Sequence, residues 1–489
     1  MKAVFFFSSL LIFHYASAQT STVAPNDTCR KIDAYLTQLS QEKNFSGGLL
    51  ILKNGTRIFS KGYGWANQQT KTPFTPETLA SMGSITKAFT AAAILTLVEQ
   101  GKLSLDDPLA KFFPSVPTDK SGITIHQLLT HSAGFREFLT GDAGDYEKIN
   151  TEQYLARAFN EPLAFVPGAK SIYTNVGYSL LGIIIEQISR QDYEQYLKRA
   201  LLNPMGIQGI GYQFPPNHPE LIAVGYQLGK PWGTHQTKFL QAGGGPYWNL
   251  KANGGLEASL NDMEKWITGI SKHTVLSPAM TDKMFSPLVR EEGYEGRSFF
   301  GYGCNVSQSR RNTKMIDNGG SNNIYFARLI RLPEEGVVFY MVTNESSVGT
   351  DKVLPNITQL YFMGLIQRDA MTAGPRFEHP MSAKIYELLL NNPVQSLGDE
   401  LTKQNLTIED DMILLDVGQN LIQEGKQEKA RILYEYYTRS FPNIVVAWND
   451  LGDVYRVLNR EVDARKCYMQ ALTLRPGNPR AKAALGIKD

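Results

Sequence analysis

Apolar positions along the chain change their period several times, and each change predicts an element. Residues 28–43 carry Ile32, Tyr35, Leu36 and Leu39 at helical spacing, which predicts an N-terminal helix. From Phe45 to Gly64 two β-rich runs flank Asn54-Gly55, a pair that tolerates positive φ, so a β-hairpin is expected. Gly83 and Ser84 break the extended stretch that follows, and a run of apolar and small residues from Ala88 continues at helical spacing to a stop at Gly101. Ser84 is therefore expected to open a buried helix. Thr124 to Gly134 reads as a short threonine-capped helix stopped by Ser132-Ala133-Gly134, and Ser179 to Ser189 as an apolar helix behind the turn at Pro167-Gly168. Asn253-Gly254-Gly255 predicts a turn leading into a capped helix. Phe300–Cys304, Met315–Ser321, Ile324–Ile330 and Gly336–Asn344 then alternate strand and turn signals that suit consecutive antiparallel strands, and a helix over 354–368 closes the region. The expected class is α+β, with strands at both ends of the domain and helices between.

Residues 369–380 contain Gly374-Pro375 and His379-Pro380, the chemistry of a linker. Everything after it reads as helix. Trp448, Leu451, Gly452, Tyr455, Ala464, Tyr468, Ala471 and Pro476 follow the tetratricopeptide pattern, and a shift back by its period of about 34 residues finds Leu414, Val417, Gly418, Leu421, Ala430, Tyr434, Tyr437 and Pro442. Residues 381–489 are thus expected to form an all-α repeat domain, with an irregular capping pair over 381–408 and a terminal helix over 479–487. Two repeats are fewer than such stacks usually need alone, so docking on the rest of the chain or on another subunit is expected.

Composition narrows the setting. The chain has 489 residues and a formal charge of only +2, so neither a nucleic-acid footprint nor an acidic tail is indicated. Met1-Lys2, an apolar core from Ala3 to Phe13 and Ala16-Ser17-Ala18 form a signal peptide over residues 1–18, with the mature chain starting at Gln19. An exported protein, periplasmic or secreted and without a transmembrane segment, is expected. Of three cysteines, Cys29 and Cys304 could pair. The seven histidines lack metal-ligand spacing, so neither a metal nor another cofactor is expected. Asn44 and Asn344 open glycosylation sequons.

The candidate chemistry centres on Ser84-Ile85-Thr86-Lys87. Three residues apart on a helix, the lysine ammonium can reach the serine hydroxyl, and an apolar wall lowers a lysine pKa towards the range of a working base. Spacing alone does not decide, since Ser40-Gln41-Glu42-Lys43 matches too and a helix-start serine can simply be a cap. In Tyr173-Thr174-Asn175 the outer side chains share a face of extended backbone and can enter one cleft. Tyr247-Trp248-Asn249 repeats the pattern on what looks like a loop rim. His131 is read as structural, bonding the last carbonyls of its helix.

Ser84-Ile85-Thr86-Lys87, Leu128-Leu129-Thr130-His131-Ser132-Ala133-Gly134 and Tyr173-Thr174-Asn175 together resemble the β-lactamase-related serine hydrolases, which include class C β-lactamases, D-Ala-D-Ala peptidases and esterases. The resemblance covers roughly residues 30–368. It implies a β-lactamase/transpeptidase-like antiparallel sheet sandwiched by helices, with an all-helical subdomain and the active site between them. It also implies that Ser84 is the acyl-enzyme nucleophile, that Lys87 and Tyr173 share proton transfer and that Asn175 holds substrate amide and Lys87. The backbone N–H groups of Ser84 and Ser321 would form the oxyanion hole. The third motif departs from the family, which has Lys or His, any residue, then Gly; the matching triplet here is Asn318-Gly319-Gly320. Asn318 carries no charge for a substrate carboxylate. The implied function is an exported hydrolase of a small-molecule or peptide ester or amide, peptidase or esterase rather than β-lactamase. The rival is a non-catalytic exported binding protein with a degraded pocket and partner-binding repeats.

Overall fold

The computed structural model describes residues 27–42, 45–212, 221–227, 230–292, 298–309, 311, 313–322, 324–346, 350–364, 380–391, 395–408, 411–474, 476 and 478–487. The chain divides into two compact units, 1–364 and 365–489. The leader expected over 1–18, the Asn44 sequon and nearly all of the linker expected over 369–380 lie outside the described residues.

The first unit is organised by an eight-stranded antiparallel sheet. Its strands are β1 (Gly47–Lys53), β2 (Thr56–Tyr63), β3 (Val289–Arg290), β4 (Ser298–Phe300), β5 (Asn305–Gln308), β6 (Lys314–Ser321), β7 (Phe326–Leu332) and β8 (Val337–Thr343), in the order β2-β1-β8-β7-β6-β5-β4-β3. The β1–β2 hairpin turns at Asn54 (φ 49°) and Gly55 (φ 74°), the two positive values that the Asn-Gly pair predicts. Central strands are apolar without alternation because both faces are covered. Leu50, Leu52, Ala327, Leu329, Tyr340 and Val342 join the core that contains the helix Thr86–Glu99. On β8, Phe339 packs edge-on against Tyr361 of the helix Thr350–Met363 with 5.3 Å between ring centres. That helix pairs with the N-terminal one, Asp27–Gln41, where Asn356 Nδ2 donates to Tyr35 Oη at 2.9 Å.

The helix Thr86–Glu99 is buried from Thr86 to Leu97, all round rather than on one stripe. Phe89 stacks on Trp266 of the helix Leu260–Ser271 at 3.9 Å, and the apolar helix Val176–Ser189 lies alongside. This helical layer meets the sheet along β6, where the candidate residues gather.

Several sequence expectations are corrected. Ser84 does not open the α-helix: it sits on a 3-10 turn, Gly83–Ile85, and the α-helix begins at Thr86. Phe300–Cys304 is not one strand but the end of β4 and a turn into β5, because Gly303 (φ 73°) presses on the helix Thr86–Glu99 so closely that a Cβ there would stand 2.7 Å from the Lys87 carbonyl oxygen. No disulfide joins Cys29 and Cys304: the Cys29 thiol donates to the Ile58 carbonyl and the Cys304 thiol to that of Met284. Asn344 is fully buried, its amide donating to the Trp65 and Val224 carbonyls, so the sequon there is closed to glycosylation in the folded chain.

The second unit is helical throughout its described residues. Helices Pro380–Asn391 and Leu397–Lys403 precede two helix pairs, Asp411–Gln423 with Gln427–Ser440 and Val445–Val457 with Glu461–Leu474, and Pro479–Leu485 follows. The repeated glycine has a packing reason in both pairs. A Cβ at Gly418 would stand 2.4 Å from the Tyr434 ring, and one at Gly452 would stand 2.6 Å from the Tyr468 ring. Among the described residues no helix is long and apolar enough to cross a membrane.

Candidate active site

Gly83 takes φ 51°, which turns the chain so that the half-buried Ser84 faces β6. The approach is backbone to backbone. A Cβ on Gly83 would stand 2.7 Å from the Ser321 nitrogen, and one on Gly320 would stand 2.8 Å from the Ser84 nitrogen and 2.0 Å from the Met82 carbonyl oxygen. The two amides of the expected oxyanion hole are thereby held side by side. Ser84 is not the N-cap of either helical segment, those positions being Met82 and Ile85, and its hydroxyl is engaged by side chains instead.

Two donors converge on Ser84 Oγ: Lys87 Nζ at 3.1 Å and Tyr173 Oη at 2.7 Å. Lys87 Nζ also donates to Asn175 Oδ1 at 2.7 Å and to the Asn253 carbonyl at 2.7 Å, which completes its three bonds. Burial brings the Lys87 pKa down to about 7, against the opposing charges of Glu137 and Asp145. Burial raises the Tyr173 phenol well above its ordinary value, while its bond to Ser84 works the other way. So at neutral pH the lysine is the member that exists in both forms, and the tyrosine stays protonated.

Tyr173 and Asn175 both reach the cleft as the sequence predicts, but from different backbone: Asn175 already has helical φ and ψ at the start of Val176–Ser189. Their positions are set from outside. The Asn175 N–H donates to the Glu137 carbonyl at 3.1 Å, and Thr174 Oγ1 to that of Arg136 at 2.7 Å. His131 is structural, though not through its helix carbonyls. It leaves the helix Ile125–Leu129 at φ 57°, and its Nδ1 accepts the Thr174 N–H at 3.1 Å. Its ring packs among Tyr173, Tyr178 and Phe300, and burial, with the charge of Lys87, holds its pKa far below the ordinary imidazole value. The second Tyr-x-Asn is a loop anchor. Asn249 Nδ2 donates to Asp142 Oδ1 at 2.7 Å, to the Gly144 carbonyl at 3.1 Å and to Glu147 Oε2 at 2.8 Å.

The β-lactamase family model matches residues 32–360 of the chain. The chain belongs to the β-lactamase family. The protein flp of Staphylococcus aureus is 32% identical over 209 residues, a match that covers 42% of this chain and 42% of flp, so the chain spans about two fifths of that relative. The octameric penicillin-binding protein homologue of Pyrococcus abyssi superposes with a TM-score of 0.60 at 27% identity, over 73% of this chain and 81% of that one. The penicillin-binding protein of Bacillus halodurans gives 0.57 at 26% identity, over 67% and 99%.

Within this β-lactamase-family site the third motif keeps its path and loses its charge. Asn318 is buried on β6 and its Nδ2 donates to the Gly303 carbonyl at 2.6 Å, so the amide is engaged with the turn that presses on Lys87. The neighbouring cation is engaged too: Arg328 grips Asp317 with Nη2–Oδ2 at 2.7 Å and Nε–Oδ1 at 3.1 Å. Asn318 and Asp317 line, with Ser84, Lys87, His131 and Tyr173, a narrow cleft of about 30 Å³. The sequence reading missed the Asn253 carbonyl and the Gly303 turn, because a backbone ligand and a close approach leave no side-chain signature. It also missed Asp145, whose charge acts on Lys87 from a loop that carries no recognisable motif.

Proposed function

We propose that the chain is an exported serine hydrolase that cleaves an ester or amide through an acyl-enzyme on Ser84. The observation that carries this reading is the pair of bonds to Ser84 Oγ from a lysine of pKa about 7 and from a protonated tyrosine. In its neutral form Lys87 reverses its bond and accepts the Ser84 proton as Oγ attacks the substrate carbonyl. The Ser84 and Ser321 amides stabilise the negative charge on the carbonyl oxygen. Tyr173 gives its proton to the departing alcohol or amine and regains one from Lys87, leaving an ester on Ser84. Water then attacks that ester, the lysine and tyrosine pair takes one of its protons and passes it to Ser84 Oγ as the acyl bond breaks, and the acid leaves with Ser84 restored. Asn175 and the Asn253 carbonyl hold Lys87 on target throughout. The C-terminal helical unit contributes none of these groups, and its part in this reading is contact with a protein partner or a second copy.

The test is labelling with a fluorophosphonate probe and mapping of the adduct by mass spectrometry. Modification at Ser84, absent in Ser84→Ala, is the expected result. An unlabelled, folded wild type favours instead the binding-protein reading suggested by the missing cation at 318.

A further inference from the structure

Two cavities open beside the end of β6: Gly319 lines the narrow cleft with Lys87, Tyr173 and Asn318, and Asn322 lines a cavity of about 380 Å³ together with Asp145, Tyr146, Gln227, Trp232 and Ile324. The proton carriers occupy the first, so the leaving group must be protonated there. The second is then open to the acyl portion.

The second cavity is a built one. Its loop is fixed at Asn249, as described, and by the Glu147–Arg157 pair, with two parallel bonds of 2.7 and 2.6 Å. The Tyr146 wall is pinned by Tyr146 Oη to His235 Nδ1 at 2.6 Å, and the His235 ring stacks on Tyr325. Burial lowers the His235 pKa to about 4, so this clamp is neutral.

Asp145 is the odd member of this wall. Among the described residues its carboxylate makes no hydrogen bond and no ion pair, although it is close enough to Lys87 for the two charges to act on each other. Burial, followed by the Asp142 charge, pushes its pKa up to about 6, with Lys87 opposing. This is a partly buried carboxylate with no counter-charge bonded to it among the described residues. Other acidic groups add to the field: Glu137 also acts on Lys87, and the charge of Arg328 is spent on Asp317. The Trp232 ring already faces Lys238 Nζ at 4.9 Å, a contact that shows the indole accepting a cation.

We propose that this cavity takes an ammonium-bearing acyl group, with Asp145 as its counter-charge and Tyr146 and Trp232 as its walls, so that the preferred substrates are aminoacyl esters or amides with a free amine. The inference rests on the acyl-enzyme reading for its place in the reaction, and on the cavity alone for its binding chemistry. An ammonium seated there supplies the charge that Asp145 lacks, and the mutual effect of the Asp145 and Lys87 charges ties that seat to the reacting groups.

The test compares phenylalanine p-nitroanilide, in both hands, with 3-phenylpropionyl p-nitroanilide on the full chain. The expected ratio of kcat/KM is at least tenfold in favour of the amine for one hand, falling to about one in Asp145→Asn and below one in Asp145→Lys. A ratio near one in wild type, or one untouched by Asp145→Asn, overturns the proposal. A chain that hydrolyses neither compound is decided by calorimetry on Ser84→Ala with benzylammonium and benzyl alcohol. Tighter binding of the ammonium that depends on Asp145 supports the cavity even where the hydrolase reading has fallen. Equal binding overturns it.

Discussion

Gly320 and Ser84 meet so closely that a β-carbon on the glycine would stand 2.8 Å from the serine nitrogen. This contact explains the one part of the third motif that the chain retains. The first position of that triplet supplies a side chain, here the Asn318 amide that donates to the Gly303 carbonyl. The last supplies the absence of one, and with it the juxtaposition of two amides.

Gly320→Ala should therefore be far more damaging than its single methyl group suggests. The new carbon also meets the Met82 carbonyl oxygen at 2.0 Å, and both neighbours are backbone that cannot rotate away. Overpacking of this kind costs about 1–3 kcal/mol in stability. Displacing one oxyanion donor should cost about 100-fold or more in kcat. Thermal melting and steady-state kinetics on the same preparation check both effects, and a fully active Gly320→Ala protein would show that the strand and the serine turn are not held at this spacing in solution.

Activity should follow the protonation of Lys87. Below a pH of about 7 the ammonium has no lone pair to accept the serine proton, so kcat/KM should fall about tenfold for each further unit of acidity and reach a plateau above pH 7. Stability carries the same linkage. The folded pKa is depressed, so between about 7 and the ordinary 10.5 the unfolded chain holds a proton that the folded chain lacks, and this group makes stability rise with pH across that window. The pH profile of kcat/KM with a non-titrating substrate is the measurement. A flat profile from pH 5 to 9 would remove Lys87 as the base.

His131→Phe separates a positioning histidine from a catalytic one. The substitution leaves the buried Thr174 N–H without its acceptor, at a cost of about 1–3 kcal/mol, and loosens the segment that aims Tyr173 and Asn175. We expect a lower melting temperature and a reduced kcat, with the acid limb of the pH profile still present. Loss of that limb would show instead that His131 is the titrating base.

The sequence made legible what is local or set by fixed spacing. Asn54-Gly55 declares its turn because positive φ is needed at both residues, and the helical rise places Lys87 over Ser84. Tyr173 and Asn175 were found as a pair, yet the reason they converge is remote: His131 holds Thr174 across 43 positions. The turn at Gly303 read as strand because its residues have strand composition, and only contact with the Lys87 carbonyl forces it out of the sheet. Asp145 left no trace, since a carboxylate with no bonded partner among the described residues has no motif to announce it. The 34-residue echo in the second unit was visible because each glycine there answers one tyrosine.

The uncharged position 318 leads to the last prediction. A lysine or histidine there would place a cationic donor beside the cleft, and charge-assisted bonds to a substrate carboxylate are roughly twice as strong as neutral ones. Asn318→Lys should thus raise kcat/KM for a carboxylate-bearing amide relative to its neutral partner by about tenfold, which corresponds to about 1.4 kcal/mol of added transition-state binding. The gain should shrink with salt where the site is open to water. A second readout follows from the neighbour. Asn318 and Lys87 line the same narrow cleft, so a new ammonium at 318 disfavours the charged form of Lys87 and should move the acid limb of the pH profile below 7. Parallel profiles for wild type and Asn318→Lys, each with a neutral and an anionic substrate, measure both effects. A wild type that already prefers the anionic member would require another cation in the cleft, and Arg328, bound through two of its nitrogens to Asp317, is poorly placed to be that cation.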